Sequence, residues 1–272
     1  MRIVRTVSML LLLCALTISS KAQSPTQNYV MSKDVLDVGG IHAITTVTYY
    51  DGLGYPVEMA SNGLGGTGKF AYNLLEHDAL GREKQSWLPG TAQSGCSFVS
   101  PSELSSSLIA FHNDQNPYSL NRYDVLDRQI STLGAGESWH KAKKSVNQRY
   151  SSNESNSVKR YQVSGSGTLE ENGYYAAKSL SMLEETDEDG KTKQTFSDLF
   201  GHKVLERRDG HNDTYYIYDN IGRLRYVLSP SYQEYSDLQK CGYEYRYDKY
   251  GRCVWKRLPG CEYQQMWYDA AD

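Results

Sequence analysis

The chain has 272 residues, 22% of them charged, and a formal charge of −3. That length buries a core in one large or two modest domains, and the weakly acidic balance gives neither the basic footprint of a nucleic-acid binder nor a polybasic patch for anionic lipid. Tyrosine is the outlier, 23 residues against five phenylalanines, a bias suited to half-buried pleated surfaces where the ring packs and the hydroxyl reaches water or a partner.

The first segment, MRIVRTVSMLLLLCALTISSKAQ, carries two arginines, an apolar run from Val7 to Ile18 and the small-residue pattern Ser20-Lys21-Ala22. This is the plan of a Sec-type signal peptide over 1–22, cut between Ala22 and Gln23; the apolar run is short for a membrane span. Cleavage removes Arg2, Arg5 and Lys21 and moves the formal charge from −3 to −6. Four cysteines remain, and an exported compartment permits a bridge among the clustered Cys241, Cys253 and Cys261 without fixing its pairing. No CxxC occurs and the histidines are dispersed, so neither a metal site nor a cofactor is expected.

In chain order, an amphipathic stretch from Tyr29 to Val38 precedes a β-branched strand, Ile41 to Tyr50, which runs into the first tight turn, Tyr50-Asp51-Gly52-Leu53-Gly54. The glycines from Gly63 to Gly68 lack the Lys-Ser/Thr pair of a phosphate loop and read as a plain loop. A second turn is His77-Asp78-Ala79-Leu80-Gly81-Arg82. From Thr91 to Pro117 a polar insertion surrounds one short apolar piece, Leu104 to Phe111, expected as a helix. Tyr123-Asp124-Val125-Leu126-Asp127-Arg128 is a degenerate turn, and Ser151 to Val158 reads as a surface loop. Leu183 to Lys193 is an acidic turn around Gly190. Asp187 and Asp189 alternate as in a calcium loop, but the remaining ligands are missing and an Asp-Gly hairpin is the preferred reading. Then follow Asp198-Leu199-Phe200-Gly201-His202, Tyr218-Asp219-Asn220-Ile221-Gly222-Arg223, Tyr247-Asp248-Lys249-Tyr250-Gly251-Arg252 and the opening of a further copy at Tyr268-Asp269.

Each position of this recurring string has a physical role. The aspartate accepts backbone amides two or three residues on, an Asx-turn. The glycine three residues later supplies a positive φ, and the pair matches a hairpin built on a type I turn closed by a left-handed residue. The arginine opens the return strand, placed to lie on tyrosine faces or pair with a carboxylate. In Tyr243-Glu244-Tyr245-Arg246-Tyr247 the period is two, with the tyrosines on one face and the charges on the other. Repeats at irregular intervals of a few tens of residues describe an array of stacked hairpins.

On the strings YDNIGR, YDKYGR and HDALGR, with the weaker FSDLFGH and YDVLDR, the chain resembles the RHS/YD-repeat family of bacterial polymorphic toxins. NYVMSKDVLD, YYDGLGYPVEMAS, WLPG and GAGESWHKAKKSV are similar to the uncharacterised domain that precedes such repeats in exported Bacteroidetes-type members. The resemblance implies a mainly β fold, antiparallel hairpins of YD repeats stacking into part of a curved β-shell with few short helices. It implies an N-terminal β domain over 23–165 and a repeat array over 166–272, cut within a repeat. It also implies structural roles for Asp51, Gly54, Asp78, Gly81, Arg82, Asp198, Gly201, Tyr218, Asp219, Gly222, Arg223, Tyr247, Asp248, Gly251 and Arg252, and no catalytic residue. Partners implied are downstream repeats or a C-terminal effector of the parent protein and secretion or cell-surface machinery. Tyr55 departs from the pattern where arginine is usual, and Asp127 stands in for the glycine.

Enzyme chemistry has little support. Ser138 and His140 lie close in sequence but no GxSxG elbow occurs, and the pairs Glu170-Glu171 and Glu184-Glu185 sit in polar surroundings that leave a carboxylate pKa low. The expected function is a non-enzymatic exported scaffold. The alternative is a carbohydrate- or protein-binding module using Trp87, Trp139, Trp255 and Trp267, whose plainer role is packing between strands.

Overall fold

In a computed structural model, residues 26–39, 42–62, 70–91 and 95–269 are described; the signal peptide at 1–22 and most of the glycine loop at 62–68 lie outside them. The chain is mainly antiparallel β and divides into two compact units, residues 1–120 with 135–138, and residues 121–134 with 139–272. The boundary drawn at 165 falls inside the second unit.

In the first unit β1 (Asn28–Val35), β2 (Ala43–Tyr50), β3 (Pro56–Ser61), β4 (Ala71–His77) and β5 (Glu83–Trp87) pair in chain order. β6 (Tyr118–Tyr123) joins β5 through Trp87 and Tyr118 and ends in the second unit. One sheet face carries Val47, Tyr49, Ala60, Tyr72, Leu74 and Trp87, all buried. The polar insertion covers that face. Its helix α1 (Pro101–His112) starts with proline at the first turn, ends on a left-handed Asn113, and sets Leu104 and Leu108 into the core.

Val57 and Met59 read as the apolar side of β3, yet Glu58 and Ala60 face the core and Met59 is exposed. Register decides this, because β2 presents Val47 and Tyr49 inward and Ala60 and Glu58 lie opposite them. Glu58 is 1% exposed. Its Oε2 accepts the Val99 N–H at 3.0 Å, while Oε1 is buried with no partner among the described residues. The Tyr49 hydroxyl donates to the Cys96 carbonyl at 2.6 Å, and that of Tyr72 to Gly95 and Ser97 at 2.6 and 3.1 Å. Three buried side chains thus satisfy the backbone of an irregular segment that would otherwise bring unpaired groups into the core. Burial without a cation pushes the Glu58 carboxyl up to about 7.

In the second unit β7 (Gln129–Leu133), β8 (Ser145–Ser152), β11 (Ser181–Thr186), β12 (Thr192–Ser197), β13 (Lys203–Arg208), β14 (Asn212–Tyr218), β15 (Leu224–Leu228), β16 (Gly242–Tyr247), β17 (Cys253–Arg257) and β18 (Tyr263–Gln265) are neighbours in that order. The short helix α2 (Glu137–Ala142) lies between β7 and β8. Between β8 and β11 the chain leaves the sheet as a separate hairpin, β9 (Lys159–Val163) and β10 (Leu169–Tyr174). This excursion covers the core face, placing Val158, Tyr161 and Leu180 against Met182, Phe196, Leu205, Tyr215, Ile217, Tyr226 and Leu228. Helices α3 (Pro230–Tyr235) and α4 (Leu238–Cys241) add Tyr232 and Leu238.

The segment 151–158, read as a surface loop, is the hinge of that excursion. Asn153 is buried, accepts the Leu180 N–H on Oδ1 at 2.8 Å and donates Nδ2 to the Ala176 carbonyl at 2.8 Å, pinning the two ends together. In β16 the charged side is split: Glu244 is buried beside Arg246 and Arg257, at 3.0 and 3.2 Å, while Arg246 itself is exposed. The tyrosines 243, 245 and 247 form the half-buried face. Cys96, Cys241, Cys253 and Cys261 are free thiols.

Candidate functional site: a ladder of aspartate turns

The turn at Asp219 shows the unit. The Asp219 N–H donates to the Arg223 carbonyl at 2.9 Å and the Gly222 N–H to the Asp219 carbonyl at 3.0 Å. Oδ1 accepts the N–H groups of Ile221 and Arg223 at 3.2 and 2.9 Å, and Oδ2 accepts Arg223 Nε at 2.9 Å. One carboxylate therefore satisfies two amides and a guanidinium that a five-residue turn leaves without partners. Partial burial works against the charge, but the Arg223 and Ile221 hydrogen bonds prevail and hold the carboxyl below its ordinary range. At Asp78 the Arg82 side chain is the main cause of the same lowering.

The same backbone bonds recur at Asp51, Asp78, Asp124, Asp187, Asp198 and Asp248. Gly54, Gly81, Gly201, Gly222 and Gly251 all have φ between 78° and 88°, where a side chain is strained. Asp127 holds that conformation at φ 61°, so the degenerate copy folds as a full turn, with Arg128 on Asp124 as in the others. Two members escaped the sequence pattern. Asp187 to Lys191 is the same turn: Asp187 Oδ1 accepts the N–H groups of Asp189 and Lys191, at 3.0 and 2.8 Å. This acidic stretch is a hairpin between β11 and β12, with Asp189 paired to Lys144 at 2.9 Å. Ser164 to Thr168 repeats it with Ser164 Oγ taking the Thr168 N–H at 3.0 Å.

The turns are joined to one another. The residue closing one turn lies on an aromatic further along the chain, for Arg223 the one that opens the next turn: Arg223 over Tyr247 at 5.2 Å, Arg252 over Tyr268 at 4.7 Å and Arg128 over Tyr150 at 4.4 Å. The tyrosine hydroxyl then donates to the carbonyl just past that closing residue, Tyr247 to Leu224 and Tyr268 to Cys253 at 2.8 Å each, and Tyr150 to Gln129 at 3.1 Å. Where histidine closes a turn, His202 stacks on Tyr218 at 4.6 Å and its Nδ1 lies 3.0 Å from Asp198 Oδ2.

Tyr55 is the instructive departure. It occupies the arginine position of its turn, and the next turn opens with His77 in place of tyrosine; the two rings stack at 5.4 Å. The exchange of partners preserves the joint. It also explains Gly81 twice over, since a Cβ there would run into the Tyr55 ring.

The tryptophans do not form one platform. Trp87 is buried against Tyr118, Trp255 stacks on Tyr263 with Arg246 over its ring, and Trp267 is exposed. Among the described residues no three His, Cys, Asp or Glu side chains gather as metal ligands, and no helix is long and apolar enough to cross a membrane.

A profile for a domain of unknown function, DUF6443, matches residues 20–152. No curated protein matches. Among solved structures, a chain of the Tc holotoxin pore of Photorhabdus luminescens is similar at 12% identity and a TM-score of 0.50, over 84% of this chain and 11% of that one. A chain of the TcdB2-TccC3-Cdc42 crystal structure is similar at 14% identity and a TM-score of 0.44, over 90% and 13%. The present chain thus spans about a tenth of the length of these structures, and the first likeness is one of fold. With hairpins joined turn to turn through YDxxGR strings, and a Tc toxin chain sharing the architecture, the molecule has an RHS-type β fold.

Proposed function

We propose that this chain is a non-enzymatic, exported structural scaffold, the N-terminal part of an RHS/YD-repeat shell associated with a polymorphic toxin or a cell-surface machine. The observation that carries the reading is how the repeat carboxylates are used. Asp51, Asp78, Asp124, Asp187, Asp198, Asp219 and Asp248 each bind the backbone of their own turn, and at Asp78, Asp124, Asp219 and Asp248 the carboxyl is held below its ordinary range, which makes a poor general acid. The fold likeness to a Tc toxin chain supports the same reading. Export follows the leader read at residues 1–22, and the partners are further repeats, a C-terminal effector of the parent protein and the machinery that carries it out.

The test is the DNA downstream of the reading frame. A frame that continues through more repeats into an unrelated C-terminal domain is the expected result. A natural transcript encoding this chain alone, secreted as a free product, would overturn the shell reading.

A further inference from the structure

Within the second unit, antiparallel order places the turns at 124, 198, 219 and 248 on one edge of the sheet and the turn at 187 on the other. The third residue of each turn on the first edge is large and apolar: Leu126, Phe200, Ile221 and Tyr250. All four are exposed, Phe200 at 86%, and Val125 and Leu199 beside them at 97% and 93%. Turn geometry does not ask for this. Asp189 and Ser166 fill the same position in the turns at 187 and 164, with the same backbone hydrogen bonds. Six water-exposed apolar side chains on one edge, absent from the control turns of the same chain, mark a surface kept for contact.

We propose that this edge is a self-association surface and that its occupant is a second copy of this chain. Three features fit a copy of itself. The tips at 198, 219 and 248 are two strands apart, about 10 Å, and the tip at 124 is four strands from the one at 198, so tips and gaps alternate and a copy related by a two-fold axis sets its tips into the gaps. The gap between Phe200 and Ile221 is already a cavity of about 580 Å³, floored by Ile217 and Tyr218 and flanked by Tyr175 of the covering excursion. Charge permits the approach, because the carboxylates at 124, 219 and 248 are each neutralised internally by the arginine that closes their turn. In area, six side chains exposing roughly 100–150 Å² each present about 800 Å², what one partner gives to an interface of standard size.

Sedimentation equilibrium of the full chain, from about 1 to about 100 µM, tests this. The wild-type mass is expected to climb from one chain toward two. Phe200→Ser/Ile221→Ser/Tyr250→Ser, which copies the natural Ser166, is expected to weaken association at least tenfold with an unchanged far-ultraviolet circular dichroism spectrum; Asp189→Ser on the other edge leaves it as in wild type. If the triple variant fails to fold, Leu126→Ser/Leu199→Ser replaces it with the same expectation. A wild-type mass of one chain throughout, or association unaffected by the tip substitutions, overturns the proposal. So does wild type that stays a single chain in solution yet sediments with phosphatidylcholine vesicles, which would assign the tips to lipid. None of these outcomes touches the shell reading, which rests on the reading frame.

Discussion

Replacing Glu58 by glutamine isolates the most strained ionisation in the first unit. The wild-type carboxyl is raised from its ordinary 4.5 to about 7 by burial, partly offset by the Val99 N–H. A folded pKa above the unfolded one means that the native state binds the proton more tightly. The stabilisation is full below about pH 4.5, is lost as pH rises to about 7, and is absent above that. Each tenfold gain in proton affinity is worth about 1.4 kcal/mol, so the loss comes to about 2–3 kcal/mol once residual solvent screening is allowed for. Glu58→Gln keeps an acceptor for the Val99 N–H and cannot ionise. Urea unfolding at pH 5 and pH 8.5, followed by fluorescence of the buried Trp87, gives the comparison. The two proteins are expected to match within about 1 kcal/mol at pH 5, where the protonated acid leaves one buried polar hydrogen without an acceptor and the amide leaves two. At pH 8.5 the variant is expected to be the more stable by about 2 kcal/mol. Histidine titrations common to both cancel in the difference. An identical pH dependence in the two proteins would refute a neutral, buried Glu58.

Other perturbations act on the turns. Gly222→Val is expected to cost about 1 kcal/mol or more by thermal unfolding, because φ is +83° and a Cβ would lie 3.0 Å from His202 Nε2. Gly81→Ala is expected to destabilise through the Tyr55 ring, and less so in a Tyr55→Ala background, a non-additivity read from the two unfolding midpoints. Asp219→Ala removes two backbone acceptor contacts and a guanidinium contact, with an expected loss of about 1–2 kcal/mol at pH 7. Its depressed pKa makes that contribution present above the unfolded carboxylate pKa and lost as pH falls through the lower folded value. The wild-type advantage over Asp219→Ala should therefore shrink in acid titrations below about pH 4.

The repeat was legible because its chemistry is local. Asp219, Gly222 and Arg223 contact one another within five residues, so spacing alone carries the turn. The turn at Ser164 uses a serine for the same hydrogen bonds, and the turn at Asp187 keeps the aspartate and glycine but has Thr186 in place of the aromatic, so matching by letter passed over the membership of both. Joints between turns were not legible, since Tyr55 meets His77 only after two strands pair. The inward face of β3 was hidden for the same reason: Val57 and Met59 suggest one side, and the Tyr49 register across the ladder imposes the other. The cut at 165 falls inside the excursion at 153–180, which packs on the core of the later strands, a tertiary preference that composition does not express.

The central claim is that successive turns are coupled into one ladder. A double-mutant cycle of Arg223→Ala with Tyr247→Leu addresses it, because Arg223 lies over the Tyr247 ring and its Nη1 donates to the Asp248 carbonyl at 3.1 Å. A coupling free energy of about 0.5–1.5 kcal/mol by urea unfolding is predicted. Strict additivity, within about 0.3 kcal/mol, would contradict it and leave the turns as independent hairpins.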